Sequence, residues 1–189
     1  MIERGILAAD RISTPQRHEA YLDDHRLRGT GTDPFMDLGD LIKPDAVLTG
    51  LRSQSKKALL GELSQRAGEL LKIDQSLIHE AVQQREMLSS TGLGRGIAIP
   101  HARMKQVTAM FGLFARLEHP IAFDAMDGEP VDLVFLLLAP DAAGADHLRA
   151  LARVSRLMRD APTLDRLRGG RSRNALYSVL TEPMTSNAA

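Results

Sequence analysis

Ser89-Ser90-Thr91-Gly92-Leu93-Gly94-Arg95-Gly96-Ile97-Ala98-Ile99-Pro100-His101-Ala102-Arg103 places three glycines at alternate positions directly ahead of a short apolar run. Glycine at this spacing frees the backbone to turn and leaves its N–H groups open to an anion. Ile97-Ala98-Ile99 then reads as a strand, and Pro100 stops it because proline cannot donate to a ladder. His101 follows at the strand end, beside the glycine loop, with a fixed backbone and amide donors close by.

Outward from this stretch, helices and strands mix. A short strand is expected near Ala46-Val47-Leu48. Ser53 or Ser55 caps a helix to about Lys72, with Leu59, Leu63, Ala67 and Leu70 on one stripe. Asp74 caps a second helix through Leu88. At about 100° per residue its apolar face holds Leu77, Ile78, Ala81 and Leu88, with Arg85 in the middle and His79 on the opposite side. Met110–Leu117 and Ile121–Phe123 read as two strands, Asp127-Gly128 as a turn, and Val131–Leu138 as a buried strand. After a loop at 140–145, an amphipathic helix runs from about Ala145 to Asp160, followed by shorter helices at Thr163–Leu167 and Arg173–Leu180. The order implies an α/β fold: a three-layer α/β/α sandwich with a mixed central sheet.

Residues 1–35 have a different texture, with mixed charges and scattered apolar side chains, and only Pro15–Leu27 could form a helix. They read as a flexible extension that cannot offset its ordering entropy. The globular domain spans 36–180 and a tail spans 181–189. Translation beginning at Met36 is compatible with this division.

Composition removes several function classes. Lys+Arg and Asp+Glu stand at 24 each, so no basic field invites nucleic acid. There is no cysteine, hence no disulfide, thiolate zinc site or cysteine nucleophile. The longest apolar run falls far short of the roughly 20 residues that span a bilayer, and the N-terminus has no continuous apolar core of a signal peptide. A cytoplasmic protein without membrane insertion is expected.

Besides His101, three side chains could carry chemistry. Arg85, on an apolar helix face, either pairs with a carboxylate or holds a phosphate bidentately. His147 sits in the first turn of its helix, whose dipole disfavours the imidazolium. A neutral ring there could set the tautomer of a histidine nucleophile, or it is simply a satisfied core residue. Thr91 could donate its hydroxyl to a phosphate; Ser90 reads better as a turn residue. The glycines are not a dinucleotide fingerprint, because position 97 is Ile, and no P-loop Lys-Ser/Thr follows. His79-Glu80-Ala81-Val82-Gln83 lacks the second histidine of a zincin, and His18, His25 and His119 lie in charged or loop contexts, so no metal site is expected. Residue spacing alone gives histidine-centred phosphate or acyl chemistry.

Arg85-Glu86, Ser90 through Arg103, Asp127 through Pro140 and His147-Leu148-Arg149-Ala150-Leu151-Ala152-Arg153 together resemble enzyme IIA domains of the bacterial phosphotransferase system, fructose/mannitol class. The resemblance covers Met36 to about Leu180, and Met36-Asp37-Leu38-Gly39-Asp40-Leu41 is most similar to the stand-alone nitrogen-regulatory branch. It implies phosphorylation of His101, with His147 as a second active-site histidine and Arg85 beside the phosphate. Thr91 and the amides of Gly94 and Gly96 complete the expected phosphate-binding set. The donor it implies is an HPr-like phosphocarrier, and no cofactor. The targets it implies are regulatory: potassium-transport proteins, sensor kinases or stress regulators. A sugar-transport enzyme IIA passing phosphate to a IIB domain is the alternative.

Overall fold

Val131–Pro140 is apolar at almost every position, and residues of both parities are buried. Alternate residues of a strand point to opposite faces, so a strand buried at both parities must be covered on both sides. The computed structural model, which describes residues 38–182, builds a sheet around it. The extension at 1–35, its possible helix at 15–27 and tail residues 183–189 lie outside the described residues.

In chain order the elements are β1 (Ile42–Leu51), α1 (Lys56–Leu71), α2 (Gln75–Leu88), β2 (Gly92–Gly94), β3 (Ile97–Ala98), β4 (His101–Met104), β5 (Phe111–Ile121), β6 (Val131–Pro140), α3 (Ala145–Leu157), α4 (Ala161–Gly169) and α5 (Arg173–Thr181). The sheet order is β1-β5-β6-β3-β2, with β4 also paired to β6. β5 lies antiparallel to β6, pairing Phe114 with Phe135, whereas β1 is parallel to β5, and β3 and β4 are parallel to β6. The helices α1 and α2 pack on each other; α1 also lies against β1 and β5, and α2 against β4. α3 lies against β6 and α5 against β1. The α/β sandwich with a mixed sheet is the expected one.

Side-chain caps set four helix starts, of which Ser55, from the Ser53/Ser55 pair, and Asp74 are the expected ones. Ser55 accepts from Ala58 N at 3.2 Å, Asp74 from Ser76 N at 2.9 Å, Asp160 from Thr163 N at 2.9 Å and Ser172 from Ala175 N at 3.2 Å.

Four expectations are corrected. First, His101 opens β4 rather than closing a strand. Ile97 pairs with Leu133 and His101 with Leu137 in one register along β6, so β3 and β4 are one edge broken at Ile99-Pro100. Pro100 keeps the carbonyl half of the ladder, accepting from Leu137 N at 2.9 Å, and drops the donor half. Second, the strands expected at 110–117 and 121–123 are one strand, β5, with an irregular register between Arg116 and Ile121; Phe123 lies beyond it. Third, the buried stripe of α2 is Ile78, Val82 and Glu86, while Leu77 and Leu88 are 41% and 83% exposed. The helix is rotated by about one residue, so the face carrying Arg85 opens onto a cleft instead of the core. Fourth, the glycine loop is a hairpin in which β2 pairs antiparallel with β3.

Candidate active site

The break at Pro100 has a local consequence. Ile99 N is held by Thr91 O at 3.0 Å, and Ile99 O, released from the ladder, lies 2.8 Å from His101 Nδ1. A carbonyl can only accept, so Nδ1 carries the proton and Nε2 keeps its lone pair. On the other side of the ring, Arg85 Nε donates to His101 Nε2 at 3.0 Å. A guanidinium has no acceptor, so both contacts select the same tautomer. The ring nitrogen that keeps a free lone pair is therefore Nε2.

His101 is only 9% exposed, yet it floors an open cleft between α2, β4 and the start of α3. Burial lowers its pKa below the usual 6.5; the bond to Ile99 raises it and the Arg85 charge lowers it further. The net effect keeps the ring neutral near pH 7. His147 projects into the same cleft, with ring centroids 5.6 Å apart and planes tilted by 46°. Its Nε2 is buried and without a hydrogen-bond partner among the described residues. Burial lowers its pKa first, followed by the charges of His101, Arg103 and Arg85. The structure thus brings Arg85, His101 and His147 together from three separate elements.

Thr91 lies behind this trio. It is 4% exposed, and its N–H and hydroxyl donate to Glu86 Oε1 and Oε2 at 2.9 and 2.5 Å. Gly94 and Gly96 are not in the cleft. They flank the hairpin tip, where Gly94, Arg95 and Gly96 take φ of +89°, +58° and +79°. Arg95 N donates there to Asp127 Oδ2 at 2.7 Å, and a Cβ on Gly96 would meet Asp132 Oδ1 at 2.6 Å and an Arg168 nitrogen at 2.5 Å. The glycines serve close packing at a turn.

Two further features escaped the sequence reading. Arg103 lines the cleft and has no ion pair among the described residues. It stands two positions after His101 on β4, and a period of two puts both on one face. The other is Glu86, 7% exposed, whose Oε1 lies 2.8 Å from Lys56 Nζ. Burial opposes the Lys56 charge, but its bonds to Glu86 and Asp124 outweigh this and raise its pKa. Lys56 also donates to Phe123 O at 3.1 Å. Counting four residues on from Ile78 and Val82 would have put a carboxylate on the buried stripe of α2, which demands a cation partner.

The fold and cleft together define a protein of the α/β-sandwich type built around one oriented, neutral histidine flanked by a guanidinium and a second imidazole. The family described as "Phosphoenolpyruvate-dependent sugar phosphotransferase system, EIIA 2" matches residues 40–182, and the chain belongs to it. A nitrogen regulatory protein from Bradyrhizobium diazoefficiens is 50% identical over 153 residues, covering 81% of this chain and 100% of that protein. One from Escherichia coli K12 is 37% identical over 154 residues, covering 81% of this chain and 94% of that protein. Among solved structures, the nitrogen regulatory protein IIA-Ntr from Neisseria meningitidis superposes with a TM-score of 0.73 at 32% identity, covering 76% of this chain and 99% of that one. Among the described residues, no helix is long and apolar enough to cross a membrane.

Proposed function

We propose that this protein is a cytoplasmic phosphocarrier of the nitrogen branch, accepting a phosphoryl group on His101 from an HPr-like phosphohistidine protein. One observation carries the reading: Nδ1 is tied to Ile99 O while Nε2 faces a guanidinium. The similarity to nitrogen regulatory proteins supports the choice of branch.

In the reaction the lone pair of Nε2 forms the new N–P bond as the donor's N–P bond breaks, its electron pair returning to the donor imidazole. The transferring group needs in-line placement and charge stabilisation more than acid–base chemistry. Arg85 now covers the Nε2 lone pair, so its guanidinium moves from the ring to the incoming phosphoryl oxygens. The His101 ring gains positive charge as the bond forms, and Ile99 O stabilises it through Nδ1–H. His147 and Arg103 line the same cleft and supply a further hydrogen bond and a further charge.

Once phosphorylated, the cleft gains a phosphoryl group carrying about two negative charges, a change that partners can read. Regulatory targets such as potassium-transport proteins, sensor kinases or stress regulators fit this role. Residues 36–180 carry it, and the flanking segments are dispensable for phosphate uptake. The test is incubation with a phosphorylated HPr-like protein: an acid-labile adduct is expected, absent in His101→Ala. Lack of an adduct on the native protein overturns the phosphocarrier reading; rapid onward transfer to a purified IIB domain overturns the regulatory one.

A further inference from the structure

Arg85 and Glu86 are consecutive on α2, and a helix turns by about 100° per residue, so one faces the cleft while the other faces the interior. Each is nevertheless linked to a nitrogen of the same imidazole. Arg85 touches His101 Nε2 directly at 3.0 Å. Glu86 reaches the opposite side through an unbroken series of contacts. Its two carboxylate oxygens accept from Thr91 N and Oγ1 at 2.9 and 2.5 Å; Thr91 O accepts from Ile99 N at 3.0 Å; Ile99 O accepts from His101 Nδ1 at 2.8 Å.

We propose that Glu86, held by Lys56, is a positioning residue that sets the tautomer of His101 through Thr91 and Ile99. This rests on the phosphocarrier reading for its consequence in catalysis, though not for its effect on the ring.

A buried carboxylate must be compensated, and simple compensation would need only Lys56 at 2.8 Å. Besides Lys56, Glu86 engages Thr91 through both oxygens, gripping its backbone and side chain together. Thr91 lies at the point where the chain leaves α2 for the β2–β3 hairpin. Fixing it there fixes how far Ile99 is drawn back from the β6 edge. That distance sets whether Ile99 O meets Nδ1, because Pro100 separates Ile99 from the β4 ladder. Lys56 ties in a second segment: besides Glu86 it holds Phe123 O at 3.1 Å, and Ser90 Oγ donates to the same carbonyl at 2.9 Å. The α1 lysine therefore ties α2, residue 90 and the segment after β5 into one frame behind the histidine. Coupled hydrogen bonds in a low-dielectric interior reinforce one another, which favours transmission along such a series.

The experiment uses the full chain and two readouts. Nitrogen-15 shifts of the imidazole report the His101 tautomer without any phosphate donor. Phosphoryl uptake from a phosphorylated HPr-like protein reports rate. Glu86→Gln preserves shape but its amide NH₂ cannot accept from Thr91, so one of the two grips is lost. The Nδ1–H tautomer fraction is expected to fall, and uptake per folded molecule to slow by roughly tenfold or more, since small misplacements of a reacting group cost on this scale. Thr91→Val, which keeps the backbone bond and removes the hydroxyl, is expected to show a smaller change in the same direction. Should Glu86→Gln fail to fold, Thr91→Val and Lys56→Met carry the same two measurements. A native tautomer fraction with native uptake in the folded variants overturns the proposal. So does a loss of uptake that merely tracks the unfolded fraction while the tautomer stays native. A native protein that takes up no phosphate refutes the phosphocarrier reading, while the tautomer measurement still decides the role of Glu86.

Discussion

Arg85 Nε and His101 Nε2 lie 3.0 Å apart, and the same guanidinium donates through Nη1 to Ser89 O at 3.0 Å. Arg85 is thus held at the cleft by a helix-end carbonyl, and the proposed function has it exchange the ring nitrogen for phosphoryl oxygens. Arg85→Ala is expected to slow phosphoryl uptake on the order of 10²-fold, the usual cost of deleting one pre-placed donor, while the melting temperature changes little. Arg85→Lys keeps the charge but loses the planar fork, so it recovers only part of the rate. Stopped uptake measurements beside a thermal melt check both. A variant that unfolds without any rate defect in its folded fraction contradicts the assignment.

The relation between Arg85 and Leu88 shows where sequence reading succeeded and where it stopped. Helical periodicity placed both on one face of α2, and that is correct. Which way the face pointed was not available, because the stripe Ile78, Val82, Glu86 contains a carboxylate and so scores as less apolar than its neighbour. Only tertiary pairing with Lys56 makes Glu86 an interior residue. Pro100 misled in a similar way: a proline ends a strand in isolation, but β6 supplies a continuous partner on whose edge the chain resumes at His101. The caps Ser55 and Asp74, the long apolar strand at 131 and the first-turn position of His147 depend on local chemistry, and these were legible. The glycine hairpin was not, since its role follows from Asp127 and Asp132, more than thirty residues on.

Arg103 and His147 predict a division of labour around the ring. Arg103 is exposed at the cleft mouth, so its charge acts on approach of a phosphorylated donor more than on chemistry. Arg103→Ala should lower kcat/KM for the phosphorylated carrier at low salt and approach the native value at high salt, where such attraction is screened. His147→Ala should lower the rate at saturating donor with weaker salt dependence, because its ring lies 5.6 Å from that of His101 and its Nε2 is buried. Identical salt profiles for the two variants would remove the distinction.

Acid should cost this fold stability through its two cleft histidines. Both have pKa values held below 6.5, chiefly by burial. Below about pH 6.5 the unfolded chain binds protons that the folded ring refuses, so stability falls with pH through that range until the folded pKa is reached. Above about pH 6.5 both states are neutral and these rings contribute no slope. Thermal melts between pH 7.5 and 5 should therefore show a loss of melting temperature that is smaller in His101→Ala. The same depression means that phosphoryl uptake persists at a pH where a free imidazole is mostly protonated. A native slope that is flat over this range, or unchanged in His101→Ala, speaks against a buried neutral ring.

Gly96 provides the sharpest contrast between packing and phosphate binding. At φ +79°, an alanine Cβ is strained and also meets Asp132 Oδ1 at 2.6 Å and Arg168 Nη2 at 2.5 Å. Arg168 holds Asp132 through Nε and Nη2, both at 2.8 Å, and also donates to Arg95 O at 2.7 Å, so the tip has little room to yield. Gly96→Ala should then cost about 1–3 kcal/mol of stability, the scale for a residue forced into the left-handed region, read as a lower denaturant midpoint. Phosphoryl uptake per folded molecule should stay within about twofold of native, because this turn lies at the end of β3 away from His101. A large rate loss in a fully folded Gly96→Ala protein would instead put the glycine amides back in contact with the phosphoryl group. That outcome would require the hairpin tip to swing toward the cleft, breaking the Arg168–Asp132 pair as it does so.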